Sequence, residues 1–356
     1  MKKITFFYLV NLLFFACNKE EDISSKTGFA ASGSALIVNE GAYGSNNGSI
    51  TFIDGQDNIT QNVFEAANAG NNLGDIVQSY TSDGAIGICV VNNSNKVVKV
   101  NAATFSQDKI LSGAQIPYPR YAFVLGQKIY ISTWDTDSCL KVVDRNSFTI
   151  THKIRTGKGA EKMMLNGGKL YVANSGGFGN DNTVSIVNTD SDTKIMDISV
   201  GDAPLDMVKD ANGDIWVLCR GRFDYSNYPL YSRESPALLL KISGNSNNVI
   251  KELTLIPTGS LSDANQLEIS PDGKVLYYLV DGHIFKKNTT DDTLPTTPFI
   301  ADRYYYGLNV HPQSGEIWAT TSTFAANGTA YRFRPSGSLV SSYGTGLGPS
   351  MVWFNP

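Results

Sequence analysis

The sequence predicts an all-β chain: a seven-bladed β-propeller with four antiparallel strands per blade, closed by the C-terminal strand completing the N-terminal blade. Three observations carry this. A short apolar strand signal recurs seven times. It begins at Leu36, Ile88, Ile129, Leu170, Ile215, Leu276 and Ile317, so its intervals are 52, 41, 41, 45, 61 and 41. A period near 40 to 45 residues with four short strands per unit is that of a propeller blade. The composition agrees. With 33 Gly, 17 Tyr, 17 Phe and only 17% charged residues in 356, the chain suits short strands and turns better than long surface helices. The ends also match. No first strand precedes Leu36, and a spare one, Gly348-Pro-Ser-Met-Val-Trp-Phe354, ends the chain. It would pair back onto the first blade and leave no open edge. The 61-residue interval keeps a six- or eight-bladed ring open as the alternative.

The elements follow in order. Residues 1–16 read as a signal peptide: Lys2 and Lys3, then an apolar run too short to span a bilayer comfortably. Phe14-Phe15-Ala16-Cys17 resembles a bacterial lipobox, with Cys17 as the lipidated residue. Asn18-Lys-Glu-Glu-Asp22 is similar to the surface-export signal of Bacteroidetes lipoproteins. Residues 17–34 are expected to form the lipidated cysteine and a flexible tether, and residues 35–356 the propeller. The implied location is the outer membrane, lipid-anchored and exposed at the cell surface, with no spanning segment.

The clearest blade runs from Lys169-Leu-Tyr-Val-Ala-Asn174 through Asn182-Thr-Val-Ser-Ile-Val-Asn188. It continues through the polar turn Thr189-Asp-Ser-Asp-Thr-Lys194 to Ile195-Met-Asp-Ile-Ser-Val200 and Gly201-Asp-Ala-Pro204. A second polar turn, Asp210-Ala-Asn-Gly-Asp214, then leads into Ile215-Trp-Val-Leu218. Alternation gives the strands, and Asn-Gly or Asp-Gly dipeptides give tight hairpins. Strands A to D therefore run in chain order, with A before the hairpin. Tyr130, Tyr171, Trp216 and Trp318 fall at blade-packing positions, and Cys89 and Cys219 in strands, where buried thiols are expected.

This segment resembles the YVTN, or YncE-like, propeller repeat, and Ser270-Pro-Asp-Gly-Lys274 is similar to its usual hairpin. Asn39-Glu-Gly-Ala-Tyr-Gly-Ser-Asn-Asn-Gly-Ser49 resembles the opening repeat of Bacteroidetes surface propeller lipoproteins, a group that includes BtuG-type proteins. The resemblance implies capture of cobalamin or a related corrinoid for an outer-membrane TonB-dependent transporter.

Propeller topology places the B–C and D–A loops on one face and the A–B and C–D turns on the other. The second set is short turn chemistry, such as Gly126-Gln-Lys and Asn166-Gly-Gly. The first set is long and rich in aromatic, Arg and Asn residues, which favour binding hot spots. The candidate ligand-binding residues are Tyr43, Asn46, Asn72, Tyr118, Arg120, Trp134, Asp135, Phe178, Arg222, Phe223, Tyr225, Tyr228, Arg233, Asn265, Arg303, Tyr304, Tyr305 and Tyr306. Arg222 and Arg233 could instead pair locally with Asp224 and Glu234.

A net charge of −4 without a basic stripe argues against nucleic acid. Three scattered histidines offer neither a zinc pair nor an obvious general base. No nucleophile elbow or phosphate-cradling loop occurs. No cofactor or metal is expected and the chain reads as a binder. A glycan-binding or protein-interaction scaffold is one alternative. A lactonase-like metal-dependent hydrolase is another, with Asp135, Glu161 and Asp302 as its carboxylates.

Overall fold

Seven small antiparallel sheets, one per blade, build the ring in the computed structural model, which describes residues 27–137, 139–226 and 231–355. In blade 4 the strands are Ala160–Asn166, Lys169–Asn174, Thr183–Asn188 and Thr193–Ser199, paired in chain order. Blades 2, 3, 5 and 7 repeat this order. All seven B-strands occupy the places that the period predicts.

Burial explains the pattern within a blade. Strand B of blade 5, Ile215–Cys219, is buried along its whole length, because its two faces meet the two neighbouring blades. Its continuous apolar run is therefore the sign of an interior strand. Strand D of blade 4 lies at the rim and is almost wholly exposed. Tyr130, Tyr171, Trp216 and Trp318 are buried as expected, as are the free thiols of Cys89 and Cys219. The Trp216 indole N–H donates to Asp210 at 3.1 Å, which satisfies its polar atom inside the core.

The ring closes as the sequence predicts. Pro349–Phe354 pairs with Ala35–Asn39, setting Leu36 opposite Trp353 and Ile37 opposite Val352. Blade 1 thus joins the two ends of the propeller. The 61-residue interval holds no additional blade. Between strands B and C of blade 5, Phe223–Asp224 pairs with Ser232–Arg233 as a small hairpin.

Two expectations are corrected. Blade 6 has three strands, Ala264–Ile269, Val275–Val280 and His283–Asn288. Pro295 and Pro298 interrupt the following segment and lack the N–H groups that a fourth strand would use. Only its end pairs: Ile284 and Ile300 bond each other's backbone, at 2.9 and 3.1 Å. Residues 27–34, expected in the tether, are docked. Gly28–Ala30 form a 3₁₀ turn, and Phe29 meets Phe52 and Phe105 edge-on at 5.0 and 5.6 Å.

Candidate functional site

The site is built where the A-strands begin. Each opens with a buried residue: Val77, Pro119, Ala160, Pro204, Ala264, Gly307 or Pro349. In five blades the preceding residue has left-handed backbone, namely Ile76, Tyr118, Gly159, Ala203 and Gly348. Four of these blades, together with blade 6, then show a register shift within strand A, and a shift in the B-strand partner marks the fifth, at Ser350. Such bulges take side chains out of the ladder and re-aim them. Here they accompany the turn of Gln78, Arg120, Glu161 and Asn265 toward the central channel.

The channel mouth is a cavity of ≈ 200 Å³. Its polar residues pair between blades. Arg120 Nε donates to Glu161 at 3.1 Å, and another guanidinium nitrogen donates to Gln78. Lys162 meets Asp206 at 2.5 Å, and Asn309 donates to Glu268 at 2.9 Å. Burial opposes the charge on Arg120, but Glu161, Tyr121 and Glu40 hold its pKa above the ordinary arginine value. Burial likewise opposes the Lys162 charge, and Asp206, Tyr121 and Glu268 together outweigh it. Burial lifts the Glu268 carboxyl to about 7 and raises that of Glu40, which accepts from Tyr306 at 3.0 Å.

Above the mouth lies a larger cavity of ≈ 670 Å³, between the loops of blades 3 to 7. Glu161 links the two. Its oxygens accept from Arg120, from the Trp134 indole at 2.9 Å and from Ser175 at 3.1 Å. Arg120 lies over the Trp134 ring, 4.3 Å from its centroid, and Phe178 meets that ring edge-on at 5.4 Å. Tyr118 packs edge-on against Phe178 at 4.9 Å. On the opposite wall Arg220 holds Asp263 with two hydrogen bonds of 2.8 and 2.9 Å. Phe178, Tyr225 and Tyr304 stand 75%, 56% and 63% exposed.

The structure thus brings together Arg120, Trp134, Phe178, Arg222, Phe223, Tyr225, Asn265, Tyr304, Tyr305 and Tyr306 around one cavity. Tyr305 is nonetheless buried, and its hydroxyl donates to Asp302 at 2.6 Å. Arg222 is paired with Glu234 at 2.5 Å and with Asp202 at 3.4 Å.

Other expected residues do not belong to the cavity wall. Arg233 is buried beneath Phe223 and donates to the carbonyls of Arg220 and Ser262, so it braces the inserted hairpin from within. Asp135 turns to the buried Lys141 at 2.5 Å. Arg303 binds Asp302 and lies over Tyr331, along a neighbouring groove. Asn46 donates to Asn72 at 3.2 Å on the rim of blades 1 and 2, and Tyr43 is 80% exposed in that same loop. Tyr228 and Cys17 lie outside the described residues.

The channel residues Glu40, Gln78, Lys162, Asp206 and Asn309 were not among the sequence candidates. A signal for them existed. Arg120 and Glu161 stand 41 residues apart, as do Glu268 and Asn309, and Lys162 and Asp206 stand 44 apart. Positions one period apart are neighbours in adjacent blades, so complementary residues at that spacing announce cross-blade pairs. Among the described residues no group of three or more His, Cys, Asp or Glu side chains is placed to share a metal ion.

Fold and cavity together define a β-propeller scaffold able to bind ligands or proteins. The chain belongs to the family described as a domain of unknown function, DUF5074, whose model matches residues 33–336. No curated protein matches the sequence. Among solved structures, it is similar to a quinoprotein alcohol dehydrogenase-like protein from Bacteroides thetaiotaomicron, with a TM-score of 0.67 and 16% identity over 91% of this chain and 79% of that one. It is also similar to hydrazine synthase from Kuenenia stuttgartiensis, with a TM-score of 0.58 and 16% identity over 75% of this chain and 86% of that one. The WD40 propeller domain of Doa1 gives a TM-score of 0.56 and 11% identity over 80% and 84%. These likenesses show the fold.

Proposed function

We propose that this protein is a cell-surface lipoprotein that captures a small molecule in the cavity above its channel. The observation that carries this is the cavity itself. Its ≈ 670 Å³ falls in the range of small-molecule sites, and Phe178, Tyr225 and Tyr304 offer exposed rings from three separate loops around it. A rigid ring of blades carrying aromatic loops suits binding, because the rings contribute area at little entropic cost. Glu161 and Asp206 in the channel already hold Arg120 and Lys162, which supports binding over hydrolysis at those two carboxylates.

The specific ligand proposed is cobalamin or a related corrinoid, passed onward to an outer-membrane TonB-dependent transporter. The lipobox-like run at Cys17 and the resemblance of residues 39–49 to surface propeller lipoproteins support that reading. The chemistry is compatible, since a corrin has a broad apolar ring for the aromatics and amide arms for Asn265 and the tyrosines. Calorimetry with cyanocobalamin is expected to give one site per chain, with quenching of Trp134 fluorescence. Absence of both heat and quenching rules the corrinoid out, and binding of neutral oligosaccharides instead would favour the glycan reading. Replacing Cys17 by Ala is expected to release the protein from the membrane fraction.

A further inference from the structure

We infer that the cavity selects an uncharged ligand with a flat apolar face and rejects anions; this rests on the proposal that the cavity binds a small molecule. Its walls look rich in arginine, yet none of the three described cations that line it is free. Arg120 is held by Glu161, Arg220 by both oxygens of Asp263, and Arg222 by Asp202 and Glu234. The fourth lining carboxylate, Asp181, has no cation partner among the described residues. It accepts from the backbone N–H groups of Lys158 and Thr183 at 2.7 and 2.9 Å, and from the Thr183 hydroxyl at 2.6 Å.

Lining carboxylates thus outnumber lining cations by four to three. The throat below adds the balanced pair of Lys162 with Asp206, and Glu40, whose hydrogen-bond partner is the uncharged Tyr306. An anionic ligand entering here would leave water for a concave, partly desolvated surface of its own sign. To recruit an arginine it would first have to break an existing ion pair. An uncharged ligand meets neither obstacle. What the cavity offers it is ring surface, with Phe178, Tyr225 and Tyr304 the most exposed. The arginines therefore shape and stiffen the walls, while the rings do the recognising.

The test uses two fluorescent naphthalene probes of similar shape, neutral N-phenyl-1-naphthylamine and anionic 1-anilinonaphthalene-8-sulfonate. Binding is assigned to the cavity by its loss in a Phe178→Ala/Tyr225→Ala variant. The neutral probe is expected to bind at least about tenfold more tightly, with an affinity unchanged between about 0.05 and 0.5 M NaCl. Asp263→Asn frees Arg220 and is expected to raise affinity for the anionic probe about tenfold. Adding Arg220→Gln to that variant returns it to the original value, which a merely loosened fold would not do. Should Asp263→Asn fail to fold, Asp202→Asn frees one side of Arg222 and is expected to act in the same direction.

Equal or tighter binding of the anionic probe by the unaltered protein overturns the inference, as does a steep salt dependence for the neutral one. Unchanged anion affinity in folded Asp263→Asn protein does so too. Failure of cyanocobalamin to bind, with the neutral probe still preferred, removes the corrinoid reading and leaves this inference standing.

Discussion

The two faces of the propeller are made by the same strands but differ in how much of their polar satisfaction is local to one turn. On the hairpin face, turns close first on themselves, and single side chains then bridge blades, as Arg145 does to Asp83 and Lys128 to Asp192. Asp144 accepts from the backbone N–H groups of Asn146 and Ser147, and Asp272 accepts from the Ser270 hydroxyl and the Lys274 backbone N–H. Gly126 and Gly167 supply the left-handed backbone that such turns need. On the loop-rich face, polar groups reach into the next blade: Arg120 to Glu161, Lys162 to Asp206, Arg220 to Asp263, Tyr306 to Glu40. A turn satisfied within its own blade can change alone. A cross-blade network cannot, because removing one member leaves a partner buried and unpaired.

The largest effect is therefore expected at Glu161. Glu161→Ala strands the largely enclosed guanidinium of Arg120 and removes the acceptor of the Trp134 indole. A loss of about 3–5 kcal/mol in urea unfolding is expected. A loss below about 1 kcal/mol would mean that the pair is decoration, and the contrast between the faces would fail.

Trp134→Ala tests recognition more than stability. It removes the ring that joins Arg120 to Phe178. Ligand affinity is expected to fall by about 2 kcal/mol, roughly thirtyfold, by titration with whichever ligand binds the unaltered protein. A change under about threefold would move recognition away from this wall.

Glu268 gives the network a pH signature. Its carboxyl is lifted by burial from 4.5 to about 7 in the folded protein. Between those values the folded state holds a proton that the unfolded chain has released, so stability falls as pH rises through this window. Glu268→Gln is expected to flatten that slope in melts collected from acid to neutral pH. An identical slope in the variant would assign the pH dependence elsewhere.

The smallest effect belongs to the hairpin face. Gly167 has φ of +57° and open space around the position of an added Cβ. Gly167→Ala is expected to cost about 1 kcal/mol through backbone strain alone, with ligand affinity unchanged. A change in affinity would show that the two faces communicate.

Much of this molecule was legible in its sequence. The strand signal at Ile129, Leu170, Ile215 and Ile317 announced blades, because a buried B-strand needs continuous apolar residues whatever surrounds it. Closure was legible because the strand ending at Phe354 had no other partner to take. Turn chemistry sorted the loops between faces, and aromatic loops then marked the face that carries the large cavity. The roles of individual side chains were less legible. Arg233 and Asp135 look, as residue types, like ligand contacts. One is buried in its own hairpin and the other is held by Lys141. The missing fourth strand of blade 6 was written in Pro295 and Pro298, but only in retrospect.

The sequence by itself therefore determined the all-β class, the seven-fold period, the closing strand and the face on which function should be sought. These follow from local propensity and repetition, which act over a few residues at a time. The tertiary structure decided which charges are spent on one another and which rings remain exposed. Those outcomes depend on packing between blades, where residues some 41 to 44 positions apart come within hydrogen-bonding distance. An arginine is an anion receptor or a wall brace according to its neighbour, and that neighbour is supplied by the next blade.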